Sequence, residues 1–191
     1  MIQDEYYESL TFDKIDFTKT PLKAGTYDNC TFSRCILSSQ ELSSIHFEQC
    51  RFIHSDLSLV KVKNTALRDV VFEDCKMLGI MFYECKTLGL SFSFTNCNLS
   101  HCSFYQLNLK KIIFNLCCLA EVDFADCNLS QAQFLHCDLP LAKFERTILE
   151  KADFRSSDNY TIDPENNKIK GAKFSLMKLQ GLLEKYNLMI E

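Results

Sequence analysis

"FADCNLSQAQFLHCDLPLAKFERTILEKADF", Phe124 to Phe154, carries Phe or Leu at every fifth residue: Phe124, Leu129, Phe134, Leu139, Phe144, Leu149 and Phe154. A helix repeats every 3.6 residues and a strand every 2, so neither makes this pattern alone. Working backwards, strict Phe/Leu alternation continues through Leu119, Phe114, Leu109, Phe104 and Leu99 to Phe94. A second series with the same period runs from Phe12 to Phe92 and is apolar at every position but Thr87. The two series are out of step, because Phe92 closes one and Phe94 opens the other within "CKTLGLSFSFTNC" (Cys85–Cys97). Two extra residues must leave the repeat as a bulge or short loop, or tilt one stack on the other. Self-similarity at a fixed period is the mark of a repeat architecture.

The cysteines obey the same ruler. "CNLSHC" (Cys97–Cys102) has the residue types of a zinc site, which needs four Cys or His ligands converging on one centre. Yet ten of the 11 Cys lie two residues before a central position of the repeat, a slot elsewhere filled by Ile15, Val60, Val122, Ala132 or Ala142. Free Cys behaves as a small hydrophobe in such a place. The thiols therefore read as core, with no metal and no cofactor; only Cys118 falls outside the slot. His46, His54, His101 and His136 fall at outward positions, scattered along the repeat with no nucleophile elbow beside them. Clustered Gly for a phosphate loop is absent, and the pattern predicts no enzyme.

With 21 basic and 25 acidic side chains, the net charge of −4 shows no basic footprint for nucleic acid. The greasiest run, "IIFNLCCLA" (Ile112–Ala120), is far shorter than the ~20 residues that span a bilayer. "MIQDEYYESL" has early acids and no apolar leader, and the Cys count is odd; both predict a cytoplasmic protein with reduced thiols.

Units such as "CNLSH", "CSFYQ", "VDFAD", "AQFLH", "CDLPL" and "ADFRS" resemble the A-(D/N)-L-x-x pentads of pentapeptide-repeat proteins, over roughly residues 10 to 156. The resemblance implies a β fold: a right-handed quadrilateral parallel β-helix with one pentad per side and 20 residues per coil. In it, Phe94, Phe114, Phe134 and Phe154 stack in one column and Phe104, Phe124 and Phe144 in the opposite one. Neighbouring coils at about 4.8 Å would make a rod on the order of 35 Å long. The expected division is a β-helix over residues 1–174, with the register break near 87–94 and a degenerate last coil at 155–174, followed by a helix and tail at 175–191.

"FSLMKLQGLLEKYNLMIE" switches to helical spacing, with Leu176, Leu179, Leu182, Leu183 and Tyr186 on one face and Ser175 placed to cap it. Such a helix either covers the open end of the solenoid or joins two rods as a homodimer, the role it has in Qnr-like members of the family. Ile113, Leu116 and Leu135 fall at outward slots on one side, with Cys118 and Leu141 on the next; they form a partner surface or are merely exposed. By resemblance to Qnr-type and immunity-type members, the expected function is to bind a type II topoisomerase, chiefly DNA gyrase or topoisomerase IV. That binding would protect it from quinolones or toxins by DNA mimicry, with no direct contact to nucleic acid or membrane. The alternative is a scaffold of the same fold with an unrelated partner.

Overall fold

The computed structural model describes residues 5–189. Each pentad forms one side of a four-sided coil: the central residue points inward, and the residue two places later turns the corner. From Ser9 to Asn159 most corner residues have φ between 51° and 67°, the left-handed region that Asn, Asp and His tolerate best. Strands are short because each side is one pentad long. They are β1 (Tyr6–Glu8), β2 (Thr11–Asp13), β3 (Thr26–Asp28), β4 (Thr31–Ser33), β5 (His46–Glu48), β6 (Arg51–Ile53), β7 (Ala66–Arg68), β8 (Val70–Glu73), β9 (Phe92–Thr95), β10 (Ile113–Asn115) and β11 (Gln133–Leu135).

The strands stack in parallel into two sheets, β1-β3-β5-β7 on the first face and β2-β4-β6-β8-β9-β10-β11 on the second. The third and fourth faces are ladders of single bridges, such as Asp56↔Lys76 and Asp123↔Lys143. Partners are 20 residues apart, as in Phe12↔Phe32 and Phe114↔Phe134.

The core is a stack of rings. On the second face Phe12, Phe32, Phe52, Phe72, Phe94, Phe114, Phe134, Phe154 and Phe174 follow one another with centroids 4.4–5.5 Å apart and nearly parallel planes. Offset stacking adds about 0.5–1.5 kcal/mol per pair to the burial of each ring. A second aromatic column changes face. In the N-terminal half it runs up the first face through Tyr7, Tyr27 and Phe47 and ends at Leu67. In the C-terminal half it runs up the fourth face through Phe82, Phe104, Phe124 and Phe144, opposed edge-on to the first column. Where it changes, an apolar cavity of about 20 Å³ remains among Val62, Leu67, Phe72 and their neighbours.

The register break takes the form of a loop. Partners become 22 apart at Phe72↔Phe94 and at Met81↔Ser103, then return to 20 at Phe94↔Phe114. Lys86 still bonds the coil below through Thr65, so the extra residues leave between Lys86 and Ser91, in a turn at Leu88–Gly89. Gly89 takes φ +75° there, and Leu88 is 83% exposed. This reassigns two residues. Phe92 does not continue the Phe72 column; it occupies the slot of Val70 and wedges its ring among Phe82, Phe94 and Phe104. Thr87 turns outward, and Leu90 packs against the core instead.

The slot two residues before each centre proves to be a hydrogen-bonding position as well as a small apolar one. Cys50 Sγ lies 3.2 Å from the Tyr27 carbonyl and Cys127 Sγ 2.8 Å from that of Phe104. Thr65, Thr147 and Ser157 stand in the same slot and donate in the same way, at 2.7–2.9 Å. Each donor satisfies a carbonyl that would otherwise be short of partners inside the coil. All 11 thiols are free; Cys118 alone is not fully buried.

The C-terminal segment is not the continuous helix that its spacing predicts. A 3₁₀ turn (Leu176–Lys178), one α turn, α1 (Gln180–Leu183), and a second 3₁₀ turn (Glu184–Tyr186) bend across the last coil. Ser175 stands at the N-cap, but its hydroxyl makes no capping bond. Gly181 explains the bend. A Cβ at that position would lie 1.9 Å from the Tyr160 carbonyl oxygen, so the segment presses onto the coil backbone where only Gly fits. Ile162 N–H donates to the Gly181 carbonyl at 2.9 Å, and Leu182 packs on the core. Lys185 reaches Asp163 at 2.7 Å and Glu165 at 2.6 Å, and Lys178 reaches Asp158 at 2.6 Å. Both acids facing Lys185 are held below the usual carboxylate range by its ammonium group. Residues 190 and 191, the end of the expected helix and tail, lie outside the described residues.

Candidate interaction surfaces

The five residues singled out as a partner surface do not form one patch. Ile113 and Leu135 lie on β10 and β11 of the second face, but Leu135 pairs with Asn115 and Ile113 with Gln133, so they flank opposite sides of the Phe column. Leu116 is 52% exposed on the next corner, and Cys118 is half-buried on the third face, 3.4 Å from the Ser100 hydroxyl. Leu141, 74% exposed, stands away from the others at the corner of the third and fourth faces, beside a cleft of about 480 Å³ lined with Met177 and Tyr160.

The expected dimerisation residues divide likewise. Leu182 is turned onto the chain's own core, Leu183 is half-buried, and the Tyr186 hydroxyl donates to Glu165 at 2.9 Å. Leu179 stands at the margin of exposure. Leu176 and, next to it, Met177 project outward at 82% and 89% exposure.

A more contiguous apolar surface lies on the fourth face. There the 22-residue register sets Met81 beside Ser103, and the exposed rings of Tyr83 and Tyr105 meet edge-on at 6.4 Å. Leu59 lies over Gly79 at the adjoining corner, within 2.8 Å of where a Cβ would be. These groups border a coil, Thr87 to Leu109, that contains no Asp, Glu, Lys or Arg. A reader counting in twenties would not pair Tyr83 with Tyr105; the uncharged run of 23 residues was the available signal.

Nothing resembling a catalytic constellation appears among the described residues. His54 faces Asp74 at 3.4 Å and His101 faces Glu121 at 3.4 Å, on different corners of the rod. Among the described residues no three His, Cys, Asp or Glu side chains are placed to hold a metal ion, and no helix is long and apolar enough to cross a membrane. Burial pushes the thiols of Cys50, Cys85, Cys102 and Cys127 up to about 12, the direction of inert core groups rather than nucleophiles.

The fold is that of several solved structures. Full-length QnrB1, a plasmid-mediated fluoroquinolone resistance protein, superposes with a TM-score of 0.56 at 17% identity, over 96% of this chain and 100% of that one. HetL, a pentapeptide repeat protein involved in heterocyst differentiation regulation in the cyanobacterium Nostoc, gives 0.52 at 10% identity, over 92% of this chain and 89% of that one. At such identities the likeness concerns the fold. No curated protein sequence matches. The family model of the pentapeptide repeat region matches residues 25–93 and again 90–174, meeting where the two registers meet, and the chain belongs to the pentapeptide-repeat family.

Proposed function

We propose that this protein is a non-catalytic rod that binds a protein partner, and that the partner is a type II topoisomerase, DNA gyrase or topoisomerase IV, shielded from quinolones or toxins. The observation that carries the reading is the exposed set Leu59, Met81, Tyr83 and Tyr105 beside an uncharged coil, on a scaffold whose polar groups converge on no reaction centre. Tyr concentrates binding energy because it buries a large, stiff ring, and the uncharged coil from Thr87 to Leu109 is cheap to desolvate, with the Asp126–Arg146 pair at its margin beside Tyr105. The likeness in fold to QnrB1, a fluoroquinolone resistance protein, supports quinolone protection as the outcome, and type II topoisomerases are the enzymes that quinolones attack.

DNA mimicry draws weaker support. An acidic column, Glu8, Asp28 and Glu48, climbs the first face but ends at Arg68, which pairs with Glu48. Elsewhere acids alternate with bases from rung to rung, as in Glu41–Lys61, Asp56–Lys76 and Asp126–Arg146. That alternation favours the second reading, a scaffold that holds another protein through the same tyrosine face.

Supercoiling by gyrase in the presence of ciprofloxacin should be restored by the protein. Tyr83→Ala with Tyr105→Ala should weaken that rescue at least tenfold while leaving the melting temperature within a few degrees, since both rings are exposed. If the unaltered protein affects neither gyrase nor topoisomerase IV, the scaffold reading replaces the topoisomerase.

The C-terminal end is proposed to seat a second copy through Leu176 and Met177, the side chains the cap leaves outside. Leu176→Glu with Met177→Glu should convert a dimer to a monomer in light scattering without loss of stability; a monomeric parent protein would reject this. Leu182→Glu is unsuited to the purpose, because Leu182 packs inward.

A further inference from the structure

Charge on this rod is mostly neutralised between neighbouring rungs, and one edge departs from that rule. Among the described residues nine lysines have no carboxylate oxygen within 4.0 Å, and four of them, Lys110, Lys111, Lys151 and Lys170, gather on the edge between the first and second faces of the C-terminal half, where Glu150 is the one carboxylate of the first-face column they share. Lys111, Gln131, Lys151 and Gly171 succeed one another at the corner itself, each with positive φ. Across the corner stand Arg155 and Lys173, whose partner Asp153 lies at 2.7 and 3.8 Å. A shallow groove of about 600 Å³ runs along this edge. Within it the amides of Gln131 and Gln133 carry no side-chain hydrogen bond among the described residues.

Lys111 and Lys151 stand two rungs apart with Gln131 between them, and with Lys110, Lys170, Arg155 and Lys173 they outnumber the carboxylates of Glu150 and Asp153 along this edge, an excess that the ladder itself does not require. The chemistry of the edge selects among anionic partners. Lys is depleted in the cores of protein–protein interfaces, whereas it is a standard point-charge ligand of phosphate. No aromatic ring stands in the groove to stack on a base or to anchor a protein. At about 4.8 Å per rung the four corner positions span about 14 Å, and cations flank the corner on both faces. A ridge of that kind meets the two phosphate walls of a duplex groove about 12 Å wide. We propose that this edge binds the sugar-phosphate backbone of duplex DNA, without sequence preference. A net charge of −4 conceals the site because it averages over faces that never share a surface.

The test uses the full-length protein and a labelled 24-base-pair duplex in fluorescence anisotropy, from 25 to 200 mM NaCl. Four neutralised phosphates predict a slope of log K against log salt of about −3.6. Lys111→Gln, Lys151→Gln and Lys170→Gln together should weaken binding at least tenfold and make the slope shallower by about 2.7. Lys14→Gln, Lys63→Gln and Lys143→Gln make the same charge change away from the edge and should stay within twofold of the parent. All six residues are exposed, and melting curves will confirm that both variants are folded. No duplex binding at 25 mM salt overturns the proposal, and so does binding to phosphatidylserine vesicles in its place. Equal losses in the two triple variants also overturn it, by reducing the attraction to net charge.

Discussion

A Phe114→Ala protein is expected to lose about 3–5 kcal/mol of stability, while Asn115→Ala or Gln131→Ala changes it by no more than about 0.5 kcal/mol. Phe114 is fully buried and stacks on Phe94 at 5.5 Å and Phe134 at 5.3 Å, with Phe104 and Phe124 edge-on at 5.8 Å each. Removing one ring opens a cavity that four neighbours line, and the coils cannot close it without breaking strand partners above and below. Total stabilities of single domains are about 5–15 kcal/mol, so the loss is a large share. Denaturant unfolding by circular dichroism measures it. Equal midpoints for Phe114→Ala and Asn115→Ala would remove the ring stack as the principal source of stability.

Raising the pH from 7 to 10 should destabilise the rod by about 5 kcal/mol through its thiols alone. Cys50, Cys85, Cys102 and Cys127 are displaced by burial from 9.0 to about 12. Their displacement is upward and their charged form is the deprotonated one, so the folded state retains protons that the unfolded chain gives up. The stability they support is complete below about pH 9 and is lost as the pH climbs towards 12. Each pH unit in that window costs about 1.4 kcal/mol per thiol, and four act together. Replacing these four residues by Ala should lower stability at pH 7 but shrink the difference between pH 7 and pH 10 by most of that amount. An unchanged difference would show that other groups govern alkaline unfolding.

The candidate surfaces were less legible in the sequence than the core. Ile113, Leu116 and Leu135 were correctly read as outward, because the pentad sets which way each side chain points. Their adjacency could not be read so simply: Ile113 and Leu135 belong to neighbouring rungs, yet on opposite flanks of the Phe column. The residues expected to form a dimerisation face are divided for a different reason. Helical spacing puts Leu182 and Leu183 with Leu176, but Gly181 brings the backbone against Tyr160 and turns that apolar side onto the chain's own last coil. Local spacing records which residues share a stripe; what the stripe meets depends on where the segment lands.

The five-residue period by itself determined the inward Phe and Leu positions and the buried thiols, since each pentad specifies its own inward and outward positions from purely local alternation, while the parallel four-sided coil followed from the resemblance to pentapeptide-repeat proteins. Tertiary structure decided what those positions touch. The loop at Leu88–Gly89 shifts every later rung by two residues, so Phe94 rather than Phe92 continues the Phe72 column and Tyr83 meets Tyr105. It also decided that lysines distant in sequence collect along one edge. Neighbours across rungs are made by closure of a whole coil, and that closure depends on residues far from either neighbour.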